Sequence, residues 1–519
     1  MKFIFVLFLS FLSFFSVKES RSSEKINIKF EEMSIPFTID QLSNLESYEN
    51  DSTEVIDWFK QKGFTKVFEL SKFLNLPVFK EESLNRKVLR SWLGRRILTE
   101  LSNTILIQNY NDGVEVFNTI ENLLEVKKEI STLDILKALP SKEISLDVDN
   151  LISIISSWKE ELGMQQNLIF KLNALEKTNN DSLNRVAKYE PDIIKINKRI
   201  YTPHRAEPLN VELWKNNKEI SEKDLIIFMP GVGGYINNYR WIGTELSQRG
   251  WPVLFIDHKG SNSEALLEVL KGGNTIPSSA DFFLYRFKDL DAVIRAHING
   301  NFGFSNNSYI LMGHSLGALI AFLYEGNPPS GNFDKRCNLA LQDFAVTNLS
   351  KLLQCELNEI PIPKKNNLIK ANAIIGFNSF GSLIWPEEKD SGIEMPVLFI
   401  GGTYDLITPL ISEQFKAFFS TKPNQLNRFL IIKGASHFSP IRVNNYYSEN
   451  LDNNDIFRIN KSLIGSNPNL VQKLSAKVVV EFLENLKNNE GIKIIKNQRV
   501  NNLDFHILDR KTLKEIIKN

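Results

Sequence analysis

The chain has 519 residues, 42% hydrophobic and 24% charged, which is globular composition with material for two or three domains. A formal net charge of +1 gives no global attraction for nucleic acid or an acidic polymer. With two cysteines and no H-E-x-x-H there is no common zinc motif, and no metal or cofactor is expected.

The N-terminus reads MKFIFVLFLSFLSFFSVKES, with Lys2 ahead of Phe3–Val17, a run of 15 apolar residues and serines. That length suits a signal-peptide core and falls short of the roughly 20 residues of a membrane-spanning helix. Residues 1–22 are therefore expected to be a signal peptide, cleaved after Ser22, that exports the chain to a periplasmic, lumenal or extracellular space. The alternative is an uncleaved anchor.

Residues 23–180 are expected to form a mostly helical N-terminal domain of unknown role. Its opening alternates, with Ile26, Ile28 and Phe30, then Ile35, Phe37 and Ile39, and predicts two short strands. Apolar residues then recur at helical spacing: Val55, Trp58 and Phe59; Val67, Leu70, Phe73 and Leu74; Leu89, Trp92, Leu93, Ile97 and Leu101; Val114, Phe117, Ile120 and Leu124. A long helix is predicted over Leu151–Leu175. None of these stripes carries visible chemistry.

From about residue 190 short β-rich runs alternate with helical patterns, which predicts a mainly parallel sheet flanked by helices, an α/β domain over residues 190–490. Strands are expected at Ile193–Tyr201, Leu209–Trp214, Leu225–Met229, Pro252–Ile256, Tyr309–Met312, Ala373–Phe377, Val397–Ile400 and Arg428–Ile432. Residues 325–370, rich in Pro, Asn and Leu, interrupt the alternation and read as a lid above the strand ends. Cys337 and Cys355 both fall there, and in an exported chain they are expected to pair. Residues 491–519 read as a C-terminal tail.

Chemistry concentrates at Gly313-His314-Ser315-Leu316-Gly317, a G-x-S-x-G between a predicted strand and the apolar helix Leu319–Tyr324. The turn exposes Ser315 as a nucleophile at a helix N-terminus. A serine needs a base, and six histidines are available. His204 and His297 precede the motif in a loop and a helix, His258 follows an early strand, His314 points away from the serine and His506 is in the tail. His437, directly after the last apolar strand, remains. The carboxylate should lie between them in the order Ser, Asp, His. Asp334 and Asp343 belong to the insertion and Asp390 to the charged run Glu387–Asp390. Asp405, just past Val397–Ile400, is placed to orient His437. The N–H groups of Leu316 and of Val232, in Pro230-Gly231-Val232-Gly233-Gly234, are the expected oxyanion donors. That glycine-rich loop lacks the spacing of nucleotide-binding motifs.

These motifs, with Ile256-Asp257-His258-Lys259-Gly260-Ser261-Asn262 and Gly401–Asp405, resemble the α/β-hydrolases grouped with platelet-activating-factor acetylhydrolase and the dienelactone hydrolases. A closer resemblance is to a cyanobacterial family in which such a hydrolase follows an uncharacterised helical domain. Ile28–Ile39, Arg90–Ile105 and Leu133–Leu146 carry it, as does the insertion segment Asn348–Cys355. The resemblance implies the α/β-hydrolase fold, the roles of Ser315, Asp405 and His437, and hydrolysis of lipid or short acyl esters without a cofactor. Two positions depart from the pattern, Pro230 where His is usual and Ala318 where a second Gly is. A thioesterase, peptidase or acyltransferase with the same three residues stays open. So do a non-catalytic binding protein and an N-terminal domain that makes peripheral contact with an envelope surface.

Overall fold

The computed structural model describes residues 23–30, 33–43, 75, 77–80, 104–107, 114–127, 129–177, 192–217, 223–265, 279–342, 348–362, 369–386, 391–441 and 466–518. The expected signal peptide, the helical patterns from Val55 to Leu101, and Asp343 and Asp390 lie outside them. The chain forms two compact units, Met1–Ser153 and Ile154–Asn519.

In the first unit six strands are described: β1 (Lys25–Phe30), β2 (Met33–Thr38), β3 (Pro77–Lys80), β4 (Ile105–Ile107), β5 (Glu129–Ser131) and β6 (Glu143–Asp147). They form a four-stranded sheet in the order β2-β1-β6-β4 and a β3-β5 pair. Among the described residues these strands stand beside helices, and most of the stripes that predict helices in this unit lie outside the described residues. The alternation at Ile26–Ile39 does form two paired strands. The other four are three to five residues long, too short for a period-two pattern to stand out. The pairing of β1 with β6 joins Ile26 to Ile144 across the chain, and both are buried. Ser131 and Asp134 form a reciprocal capping box that starts the helix Thr132–Ala138.

The expected long helix spans Val148–Asn173. The boundary between units falls within it and not at residue 180, because its later turns bond to the second unit. Ser412 donates to Glu161 (3.1 Å), Lys171 to the Ile517 carbonyl (3.3 Å) and Asn497 to the Leu175 carbonyl (3.3 Å).

The second unit contains β7 (Ile193–Ile200), β8 (Leu209–Asn216), β9 (Leu225–Met229), β10 (Val253–Ile256), β11 (Tyr309–His314), β12 (Ile374–Phe377), β13 (Val397–Tyr404), β14 (Arg428–Ser436), β15 (Ile495–Val500) and β16 (Leu503–Leu508). They form one sheet in the order β15-β16-β14-β13-β12-β11-β9-β10-β8-β7. The six central strands, β9 to β14, run parallel, and an antiparallel pair closes each edge. The parallel strands are near-continuous apolar runs because helices cover both faces; β9 is buried throughout. β15 and β16 lie in residues 491–519, so this segment is part of the sheet and not a tail. Its lysines and a register shift between Ile495 and Gln498 break the alternation that would have shown the first strand. Chain order reverses at β9, which lies between β10 and β11. Open α/β sheets place their sites at the carboxyl ends of strands around such a switch point.

Candidate active site

Ser315 stands between β11 and the helix Leu316–Glu325 with φ 51° and ψ −120°, a strained backbone for a residue with a side chain. Two contacts hold it there: its N–H donates to the Phe377 carbonyl of β12 (2.9 Å), and its carbonyl accepts from Leu319 (3.0 Å) as the helix begins. A Cβ at Gly317 would lie 2.0 Å from the Met229 carbonyl oxygen. Only glycine lets the helix start pass that close to the end of β9.

Asp405 and His437 follow neighbouring strands whose register pairs Tyr404 with Ser436, so the two residues emerge side by side. His437 Nδ1 is 3.1 Å from each carboxylate oxygen of Asp405. Asp405 is fully buried. It accepts from Asn378 Nδ2 (2.6 Å), Thr408 Oγ1 (2.6 Å), Gln414 Nε2 (3.1 Å) and the N–H groups of Ile407 (3.0 Å) and Thr408 (2.8 Å). Burial opposes its charge, but His437 and the Thr408 hydrogen bonds outweigh it and hold the carboxyl below its ordinary range. Asn378, Thr408 and Gln414 escape the sequence motifs. The signal that marks Asn378 is local: it follows β12 at φ 51°, where Asn is among the residues that tolerate positive φ.

The other histidines are engaged elsewhere. His204 and His258 bond to Asp289, His297 to the Ser308 carbonyl and His506 to that of Lys496. His314 turns its ring to Tyr239 and to the backbone of His437. The loop beyond His437 is pinned by Trp241, which donates to the Pro440 carbonyl (2.8 Å), and by Gln472, which donates to that of Ser439 (3.1 Å).

The loop after β9 carries Val232, half-buried, and approaches the elbow at Gly231. Buried Arg286 staples this loop to the one after β10. It donates to the carbonyls of Pro230 and Gly231 (2.9 Å) and to Ser261 Oγ (2.8 Å), while Gly233 N–H donates to the Ser261 carbonyl (2.8 Å). Burial lowers the Arg286 pKa to about 10, opposed by Asp289. Asp289 is itself buried. There the hydrogen bonds from His204, His258 and Arg205 outweigh the cost of burial and keep the carboxylate ionised well below its usual range. The run Ile256–Asn262 therefore supports the loop from behind.

The insertion contributes two helices, Phe333–Gln342 and Leu349–Cys355, linked by a disulfide between Cys337 and Cys355 with Cα atoms 5.4 Å apart. Its anchor is buried Glu413, which accepts from Asn348 (2.8 Å) and Gln354 (3.0 Å) of the insertion and from Ser382 Oγ (2.7 Å). Arg336 adds a bond to the Leu383 carbonyl (2.8 Å). The insertion is thus bound to segments that follow β12 and β13, at the carboxyl edge of the sheet. Leu352 packs inside while Leu339 is exposed.

Residues 220–335, from before β9 through the elbow, match a family described as serine aminopeptidase, S33. Residues 22–147 match one described as alpha/beta hydrolase of unknown function (DUF1400). No curated protein matches the chain. The fold is that of an α/β-hydrolase, and the two matches support that superfamily and a serine hydrolase within it. No helix among the described residues is long and apolar enough to cross a membrane.

Proposed function

We propose that the protein is an exported hydrolase that cleaves carboxylic esters, of lipids or short acyl chains, through an acyl-enzyme on Ser315. The observation that carries this reading is Ser315 held in a strained elbow at the carboxyl edge of a sheet whose neighbouring strands deliver a bonded His437–Asp405 pair. In the mechanism, Ser315 Oγ attacks the ester carbonyl as His437 Nε2 takes its proton. Asp405 accepts the Nδ1–H and stabilises the imidazolium. The N–H groups of Val232 and Leu316 receive the oxyanion. Collapse expels the alcohol, which takes the proton from His437, and water then releases the acid by the same steps in reverse roles. The Cys337–Cys355 disulfide is consistent with the oxidising compartment that export implies.

The test is hydrolysis of p-nitrophenyl esters of graded chain length, with fluorophosphonate labelling of the wild type and of Ser315→Ala. Turnover and labelling should both vanish in the folded variant; undiminished labelling would sink the assignment. The aminopeptidase match favours one second reading, amide cleavage at a free amino terminus. Amino-acid p-nitroanilides turned over faster than the esters would select it.

A further inference from the structure

His314 and Tyr239 are both buried, at 2% and 1% exposure, and neither has a part in the steps above. His314 Nε2 lies 3.0 Å from the backbone carbonyl of His437, and its Nδ1 lies 3.1 Å from the Tyr239 hydroxyl. A carbonyl can only accept, so Nε2 carries the proton. Burial, and then the proximity of His437, lower the His314 pKa to about 3, which leaves the ring neutral and Nδ1 an acceptor. Tyr239 must therefore donate to Nδ1. Gly231 sits so close that a Cβ there would fall 2.9 Å from His314 Nδ1 and 3.3 Å from Ser315 Cβ.

The direction of both bonds is fixed, from Tyr239 O–H to His314 Nδ1 and from His314 Nε2–H to the His437 carbonyl, with Gly231 packed against the ring between them. This arrangement ties together the loop after β9, the end of β11 and the loop after β14, three segments far apart in sequence. We propose that His314 and Tyr239 are positioning residues that hold the oxyanion loop and the base in register with the nucleophile. The inference rests on the ester-hydrolase reading of Ser315 and His437. Asp405 fixes one side of the His437 ring; His314 fixes the backbone from which the ring hangs. Together they set the direction of Nε2. A displacement of about 1 Å in such a group can cost on the order of 100-fold in rate.

The test uses the full chain and compares Tyr239→Phe, His314→Leu and His314→Gln with the wild type. It reads kcat and KM on p-nitrophenyl butyrate, the rate of fluorophosphonate labelling and the melting temperature. Tyr239→Phe keeps the ring against Phe228 and removes only the hydroxyl. It should lower kcat about tenfold, the effect of one buried hydrogen bond, with KM and melting little changed. His314→Leu should lower kcat about 100-fold. His314→Gln keeps an N–H at the distal position and should recover much of that loss. Wild-type kcat in Tyr239→Phe overturns the proposal even if His314→Leu fails to fold, as does a Gln variant no better than Leu. A wild type that neither labels nor turns over ester removes the parent reading instead, so the two failures are distinct.

Discussion

At the residue scale, the hydrogen bonds around Asp405 do two things: they keep it ionised in a buried site, and they leave His437 Nδ1–H one direction in which to point. Asp405→Asn should therefore leave KM nearly unchanged and lower kcat by about 10⁴-fold, since an amide there favours the wrong tautomer. A loss of that size in Asp390→Asn, with Asp405→Asn close to wild type, would give the orienting role to Asp390 instead. Asn378→Ala removes a donor to the same carboxylate. It should destabilise the fold by about 1–3 kcal/mol, the cost of under-satisfying a buried charged group, as read by urea unfolding. The strained turn at Ser315 and the pairing of Asp405 with His437 are legible in sequence because the fold imposes an order and a position after particular strands. Asn378 is not: its contact with Asp405 depends on β12 lying beside β13, and nothing in the spacing of 27 residues announces that pairing.

At the scale of elements, the central strands are legible in their apolar runs, since a strand buried on both faces must be one, but β13 and β14 continue past those runs to Tyr404 and Ser436. The β7–β8 edge is legible too, but the β15–β16 edge is not, because half-exposed β15 mixes lysine, asparagine and arginine into its pattern. β16 covers β14 by pairing Phe505–Leu508 with Phe429–Ile432, so a chain ending at residue 490 would expose a long apolar edge. It should aggregate on gel filtration; a monomer with unchanged melting would show the hairpin to be dispensable. The insertion behaves differently, as it is fastened by Glu413 and by one disulfide across 18 residues of sequence. Closing a loop of this size contributes about 3 kcal/mol on the chain-entropy model. Reduction should therefore raise KM for long-chain esters before it lowers overall melting, in kinetics run with and without a reductant that leaves Ser315 labelling intact.

At the scale of the whole molecule, the site is supported from behind by buried polar clusters, and these make the fold sensitive to acid earlier than its carboxylates would. Burial lowers His258 to about 4, with Arg286 adding to it, and lowers His314 to about 3, from an ordinary value of 6.5. His297 and His506 are lowered too, again by burial first. The native state keeps these rings neutral while the unfolded chain takes up their protons below about pH 6.5. The unfolded state then binds more protons, so stability rises with pH through that window and is lost as pH falls from about 6.5 towards 4. Each fully buried ring contributes on the order of 1.4 kcal/mol per pH unit there. Asp289 and Asp405 are held below the ordinary carboxylate range, so their stabilisation persists until the pH drops beneath about 4. Melting temperature should thus be flat above about pH 7 and should fall steadily from about pH 6.5, well before any carboxylate titrates. His314→Gln, which removes one such proton uptake while keeping the distal donor, should flatten the slope in a scan of melting temperature between pH 7.5 and 4.5. Equal slopes in the variant and the wild type would mean that His314 is as free to charge in the native state as in the unfolded one. Its bonds to Tyr239 and to the His437 carbonyl could not then be as the structure draws them, because an imidazolium has no lone pair left for the Tyr239 hydroxyl.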